Sequence, residues 1–318
     1  MKTVGLGAAG VSLLGHLPTR SIAGTMKNGM GYRTLGKTGL QISEVILGAG
    51  PINPARGNIV RAAIAQGVNF IDTANSYGKG QSEIAVGEVL KATGKRDEVY
   101  IATKASGINH SRMLEAPVAD VEKAMRQKLE QSLTRLQTDY VDIYFAPHGA
   151  KKAEEVAYPA LREVMDKFKK EGKIRYTAVS THIDYANVSM AAIKSGYYDV
   201  LMPVVCAPTM VPKIGEATKA AFGDKKGRPI FDTRAAVREA DKAGMGVISM
   251  KAAKDGFNPE EIHELVRSEF AKDKDMSFHQ IAYKWVLDQP GIDAVNIGMS
   301  NMLHLREALQ LPEMTLQG

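Results

Sequence analysis

The chain of 318 residues contains one cysteine, one tryptophan and only 6 % aromatic residues. A lone thiol, Cys206, closes no disulfide within the chain and supplies no cysteine-rich zinc or iron–sulfur site. The seven histidines (His16, His110, His148, His182, His263, His279 and His304) show no paired ligand spacing, which argues against a metal hydrolase. Long apolar runs are lacking too: the longest uncharged stretch, Thr3 to Thr19, is short, glycine-rich and broken by Pro18, so no helix of membrane-spanning length is expected. Acidic residues are missing from the first 43 positions, which hold Lys2, Arg20, Lys27, Arg33 and Lys37. Those five account for most of the net charge of +6, since 41 basic residues less five leaves 36 against 35 acidic. A body so close to neutral offers no electrostatic footprint for a nucleic-acid backbone, and its short lysine pairs read as solvated helix ends and loops. What is present, 44 % hydrophobic and 24 % charged residues, is the composition of an ordinary globular protein.

Residues 5–10, Gly-Leu-Gly-Ala-Ala-Gly, match the dinucleotide fingerprint GxGxxG in form only. That motif needs a strand before it, a helix after it and an acid about 20 residues on, and the first carboxylate here is Glu44. An export signal is the better reading: Lys2, the apolar run Val4–Leu14, then the small-x-small site Ser21-Ile22-Ala23. Met1 to Gly10 resembles the middle of a twin-arginine signal without its arginine pair. Residues 1–31 are therefore expected to be a signal-like leader and linker, and the protein to be exported to the periplasm; a tail on a cytoplasmic protein is the alternative. Residues 32–318 are expected to form one domain.

Within that body, Tyr32–Val45 carries a hairpin signal around Gly36-Lys37-Thr38-Gly39. Strand-like runs follow at Val45–Leu47, Val68–Ile71, Val99–Thr103, Tyr140–Phe145, Ile174–Val179, Val200–Val205, Gly246–Met250 and Ala294–Ile297. Between them lie helical patterns such as Val118–Leu136, with Val121, Ala124, Leu129, Leu133 and Leu136 near helical spacing. About eight strands alternating with about eight helices is the pattern of an α/β (β/α)8 TIM barrel with an N-terminal β-hairpin. An open doubly wound sheet fits less well, for want of a strand–GxGxxG–helix unit.

In such a barrel, function gathers where strands end. The second barrel strand ends at Asp72 with Tyr77 following, the third at Lys104, and the fourth leads into His148. Singly, these could be a turn cap, a solvated lysine and a loop histidine. Together they make coherent chemistry: an ammonium stabilises a phenolate, a carboxylate holds the ammonium, and an imidazole orients a carbonyl oxygen. Such a site suits a carbonyl that takes hydride at carbon and a proton at oxygen, with the hydride supplied by a cofactor.

The stretches Tyr32-Arg-Thr-Leu-Gly-Lys-Thr-Gly-Leu, Asn69-Phe-Ile-Asp-Thr-Ala-Asn-Ser-Tyr-Gly, Ile101-Ala-Thr-Lys, Asp142-Ile-Tyr-Phe-Ala-Pro-His and Lys173-Ile-Arg-Tyr resemble the aldo-keto reductases, from about Tyr32 to Leu309. The resemblance implies a (β/α)8 barrel with a nicotinamide cofactor lying across its C-terminal rim. It implies reversible reduction of a small aldehyde or ketone, a sugar-type carbonyl among the candidates. Tyr77 would be the general acid/base, Lys104 and Asp72 its tuners, and His148 the carbonyl-orienting donor. Gly48, Ala49, Ser180, Thr181, Met250, Lys251, Gly298, Ser300 and Glu307 fall at positions implied to bind the cofactor. Met202, Val205 and Cys206 stand where the family usually offers a glutamine and a tyrosine–asparagine pair to the nicotinamide. The family implies NADP(H) in preference to NAD(H), although no arginine marks the 2′-phosphate site. The pocket is expected to be open and shaped by Gly50–Arg56, Ser106–Ala116 and Ala207–Thr233, the last a candidate lid. A cofactor-binding regulatory barrel is the alternative function, motivated by the departures at Met202, Val205 and Cys206; a lyase or isomerase reusing Tyr77 and Lys104 is a third.

Overall fold

The computed structural model describes residues 24–222, 230–254, 256–271 and 275–316. The expected signal peptide and its cleavage site lie outside the described residues, as does part of the candidate lid. A three-stranded antiparallel sheet comes first: β1 (Thr25–Lys27), β2 (Met30–Thr34) and β3 (Gln41–Ser43). Its first strand falls within the stretch assigned to leader and linker, because Thr25–Lys27 pairs with Met30–Tyr32.

Eight parallel strands then close into a barrel: β4 (Val45–Gly48), β5 (Phe70–Asp72), β6 (Tyr100–Lys104), β7 (Val141–Ala150), β8 (Ile174–Thr181), β9 (Val200–Met202), β10 (Gly246–Met250) and β11 (Ala294–Gly298), with β11 pairing back onto β4. All eight expected strands are present. These strands are short apolar runs because both their faces are buried, one inside the barrel and one beneath the helices. The helices are α1 (Gly57–Ala65), α2 (Gln81–Thr93), α3 (Val118–Leu136), α4 (Pro159–Lys170), α5 (Tyr185–Ser195), α6 (Ala207–Met210), α7 (Pro212–Phe222), α8 (Arg234–Lys242), α9 (His263–Phe270), α10 (Phe278–Leu287) and α11 (Met302–Leu309). Helix α3 has the expected bounds and buries Val121, Met125, Leu129, Leu133 and Leu136 against the barrel, Met125 taking the place expected of Ala124. Helix α10 starts at a capping box, in which the Ser277 hydroxyl accepts from the Gln280 N–H and the Ser277 N–H donates to the Gln280 side chain.

Most strands shift by a residue or two at an end, and two differ by more. β7 runs on to Ala150, so that His148 lies within the ladder, paired with Ser180 across an irregular register. β9 stops at Met202 because Pro203 has no N–H to donate.

The N-terminal mouth of the barrel is plugged. Leu35, Leu40 and Ile42 pack against the interior residues Ile46, Phe70, Ile143, Phe145 and Ile248. Lys37 N–H donates to the Gly244 carbonyl at 2.6 Å, and the Tyr176 hydroxyl donates to the Thr38 carbonyl at 2.8 Å. Gly36 makes the approach possible: its φ is +49°, and a Cβ there would sit 2.1 Å from the Gly246 nitrogen. With that end closed, an interior cavity can open only at the C-terminal rim.

Candidate active site

Asp72 ends β5 and Lys104 ends β6, and both are almost completely buried. The Lys104 ammonium donates to Asp72 Oδ1 at 2.5 Å and to the Thr73 carbonyl at 2.7 Å, and lies 4.8 Å from the centre of the Tyr77 ring. Burial works against the charge on Lys104, but the Asp72 carboxylate, together with Tyr77, outweighs it and holds the lysine above its ordinary pKa. At Tyr77 the ammonium pulls the phenol down most strongly; burial and Asp72 together push it further up. The net direction is upward, so the expected lowering is present as a force and is outweighed. Tyr77 therefore rests as a neutral phenol with its proton in hand.

His148 shares Ser180 with the next strand: its Nδ1 lies 2.8 Å from the Ser180 hydroxyl, which also receives the Gly149 N–H at 3.4 Å. When the serine gives its own proton to Nδ1, the imidazole proton sits on Nε2. Burial first, then Lys104, His182 and Lys251, lower the His148 pKa to about 2, so the ring is neutral at any ordinary pH. A neutral imidazole with its N–H on Nε2 is a hydrogen-bond donor without charge.

Tyr77, Lys104 and His148 line one cavity of about 480 Å³, together with Gly48, Gly50, Pro51, Ser180, His182, Met202, Met250, Lys251, Ala253, Lys254, Asn296 and Gly298. His279 and Tyr283, one turn apart on α10, close its outer wall. The same two residues and Gly298 also border a second cavity of about 140 Å³ between α10 and α11, lined by Gln280, His304, Glu307 and Ala308. The two cavities thus share a wall of His279, Tyr283 and Gly298, and Lys251 and Lys254 line the larger one. Lys251 holds a left-handed backbone conformation (φ +64°), unusual for a non-glycine residue and common where a site fixes its geometry. An extended molecule with an apolar ring at one end, phosphates in the middle and a nucleoside at the other would draw on the linings of both cavities. A nicotinamide dinucleotide is such a molecule: Met202 and Met250 would face its ring, Lys251 and Lys254 its phosphates, and His304 and Glu307 its adenosine.

Gly48, Ser180, Met250, Lys251, Gly298 and Glu307 thus line one or other of the two cavities, whereas other expected contacts do not. Ala49 and Thr181 point away from it, because strand side chains alternate and their neighbours Gly48 and Ser180 face inward. The Ala49 carbonyl accepts from Ser82, and the Thr181 hydroxyl donates to the Ala150 and Ile183 carbonyls. Ser300 lines neither cavity and lies 3.2 Å from His304 Nδ1. Val205 is buried beneath the helices, outside the barrel. Cys206 caps α6 through Thr209, and burial pushes its thiol up to about 12, so of the three expected departures only Met202 faces the cavity. Of the expected pocket segments, Gly50–Arg56 contributes Gly50 and Pro51; Ser106–Ala116 and Ala207–Thr233 contribute nothing among the described residues. The first of those two folds back on its neighbour, with His110 Nδ1 3.1 Å from the Tyr158 hydroxyl.

Sequence reasoning missed Asn296, Lys254, His279 and Tyr283. Asn296 was the most legible of them, a lone amide in the apolar run Ala294-Val-Asn-Ile. His279 and Tyr283 are four apart on one helix and read equally well as core.

Residues 45–208 match the model of the aldo/keto reductase family. The chain is 37 % identical over 164 residues to Aldo-keto reductase YhdN of Bacillus subtilis (strain 168), an alignment covering 48 % of this chain and 47 % of the relative, so it spans about half of that protein. It is 28 % identical over 296 residues to Uncharacterized oxidoreductase YqkF of the same organism, covering 88 % and 90 %. It is 29 % identical over 187 residues to L-galactose dehydrogenase of Arabidopsis thaliana, covering 54 % of each. Among solved structures, aldo-keto reductase AKR11C1 from Bacillus halodurans superposes with a TM-score of 0.68 at 23 % identity over 90 % of this chain and 92 % of that one, a likeness of fold. Closed barrel, convergent tyrosine, lysine, aspartate and histidine, and matching family model lead to one assignment: the chain belongs to the aldo/keto reductase family.

Proposed function

We propose that the protein reduces an aldehyde or ketone to an alcohol, or runs the reverse oxidation, with Tyr77 as general acid. The observation that carries this reading is the Lys104 ammonium, clamped by Asp72 on one side and set against the Tyr77 ring on the other. A reduced nicotinamide, when bound, supplies a hydride to the carbonyl carbon. The protein's own groups manage the oxygen. His148 donates a hydrogen bond from Nε2 and fixes the carbonyl; the Tyr77 hydroxyl gives its proton as negative charge builds; Lys104 stabilises the phenolate left behind; Asp72 keeps Lys104 charged and in place. In the oxidative direction the same phenolate takes the alcohol's proton.

NADP(H) is the proposed cofactor in preference to NAD(H), supported by the family's general usage; His304, which lines the second cavity with Ser300 against its Nδ1, is the donor at hand for a 2′-phosphate. A sugar-type carbonyl is the proposed substrate, supported by the polar wall of His148, His182 and Lys104 and by the relative named for L-galactose. Export from the cytoplasm, proposed from the leader, would require the cofactor to travel bound.

The test is to titrate the protein with NADPH and NADH by fluorescence, then follow loss of the reduced nicotinamide absorbance with aldehydes, ketones and oxidised sugars. Turnover is expected, and Tyr77→Phe should retain binding while losing at least ~100-fold in rate, the usual contribution of a positioned acid. Binding without turnover of any carbonyl would favour the regulatory barrel instead.

A further inference from the structure

Asn296 is out of place by every local rule. It sits in the middle of the apolar strand β11, where asparagine is a poor strand former and a buried amide is costly unless bonded. Its Nδ2 donates to Asp72 Oδ2 at 2.8 Å. An ionised carboxylate only accepts, so this bond fixes which end of the amide faces Asp72. The Asn296 Oδ1 is thereby turned toward Gly48, where it is buried without a hydrogen-bond partner. A Cβ on Gly48 would lie 2.6 Å from that oxygen, so the arrangement also demands a glycine on the adjoining strand. The amide's other contact is a long, weak one from Nδ2 to the Met202 sulfur at 3.8 Å, so the orphaned carbonyl and the obligatory glycine are tolerated chiefly for the bond that ends on Asp72.

We propose that Asn296 is a positioning residue of the catalytic site, holding the second oxygen of Asp72 so that the first stays on Lys104 and the ammonium stays under Tyr77. Asp72 Oδ1 is held by Lys104 and Oδ2 by Asn296. Without the amide, the carboxylate is free to turn about its Cβ–Cγ bond, and the ammonium loses its fixed seat. Sub-ångström looseness in such a supporting group is felt at the reacting atoms. The inference rests on the carbonyl-reductase reading above and adds a member from β11, on the far side of Asp72 from Lys104.

The test compares Asn296→Leu and Asn296→Asp with the wild type, using benzaldehyde and NADPH as probes. Asn296→Leu should lower kcat about tenfold, the scale of one lost bond to a charged group, with KM and the NADPH dissociation constant within about twofold. Asn296→Asp sets a carboxylate against Asp72, so one of the pair binds a proton more tightly than usual. The other groups facing this point are Lys104, Tyr77, His148, His182, Lys251 and Lys254. Protonated, the new carboxyl can donate as the amide did. Its deficit should therefore shrink toward acid pH and widen toward alkaline pH, while that of Asn296→Leu stays even. A second readout needs no turnover: with 13C at the tyrosine Cζ, the signal absent from Tyr77→Phe identifies Tyr77, and Asn296→Leu should move it. Wild-type kcat in both variants, or equal deficits at every pH with the Tyr77 signal unmoved, overturns the proposal. If the wild type turns over no carbonyl, the reductase reading fails, and the Tyr77 signal still decides the role of Asn296.

Discussion

At the scale of single residues, buried histidines set the protein's response to acid as much as its chemistry. His110 is buried beside Tyr158, and burial lowers its pKa to about 4, against the partial opposition of Glu155. In the unfolded chain the same imidazole takes up a proton near pH 6.5. The unfolded state therefore binds more protons between about pH 6.5 and 4, and stability falls as pH falls through that window. The drop attributable to His110 is on the order of 2–3 kcal/mol, from about 1.4 kcal/mol for each unit of difference. His110→Gln should flatten the decline in urea-unfolding free energy between pH 6.5 and 4, and an unchanged slope would remove His110 from the account. His148 acts in the same sense but lies in the site, so its neutrality has a chemical use as well: no acid limb in the pH–rate profile should belong to it. The convergence of Asp72, Tyr77, Lys104 and His148 was legible because their types fall at consecutive strand ends. The sign of the Tyr77 shift was not, because it depends on burial that no sequence spacing reports.

Among the elements, the plug at the base of the barrel carries a clear expectation. Gly36→Ala puts a methyl group onto the Gly246 backbone in a conformation that L residues rarely adopt. The loop cannot yield without withdrawing Leu35 from the core, where it is wholly buried. The expected cost is about 2–4 kcal/mol, in the range of strained backbone and core loss combined, read as a lower midpoint of chemical denaturation. Nicotinamide affinity at the opposite rim should change little; a large change there would mean that the two ends of the barrel are coupled. The hairpin itself was readable from Gly36-Lys37-Thr38-Gly39, as were the bounds of α3, since a long amphipathic period fixes its own ends. β7 was not readable to its end: the extension to Ala150 depends on pairing with Ser180 and Thr181 on the neighbouring strand. Side-chain direction at strand ends failed for a related reason. Ser180 and Thr181 are equally good hydroxyls in sequence, and only the phase of β8 sends one inward and the other out.

For the molecule as a whole, the decisive property is that two cavities of different character share a wall of His279, Tyr283 and Gly298. The inner cavity holds Tyr77, Lys104 and His148 together with Lys251 and Lys254, and the other ends on α11 with Glu307. If one extended ligand fills both, changes at the two ends must reach the same binding constant but respond differently to a shortened ligand. The double variant Lys251→Ala/Lys254→Ala should weaken NADPH binding by roughly tenfold or more and flatten its dependence on salt, since the contribution removed is charge on a phosphate. It should also weaken reduced nicotinamide mononucleotide, which keeps one phosphate. Glu307→Ala should weaken the dinucleotide and leave the mononucleotide unchanged, because the shorter ligand never reaches α11. Bound dinucleotide should in turn stabilise the fold by about 2.7 kcal/mol at a hundredfold excess over its dissociation constant, and Glu307→Ala should need proportionally more ligand for the same rise in Tm. Equal effects of Glu307→Ala on both ligands, or none on either, would mean that the two cavities are separate sites and that the extended placement is wrong.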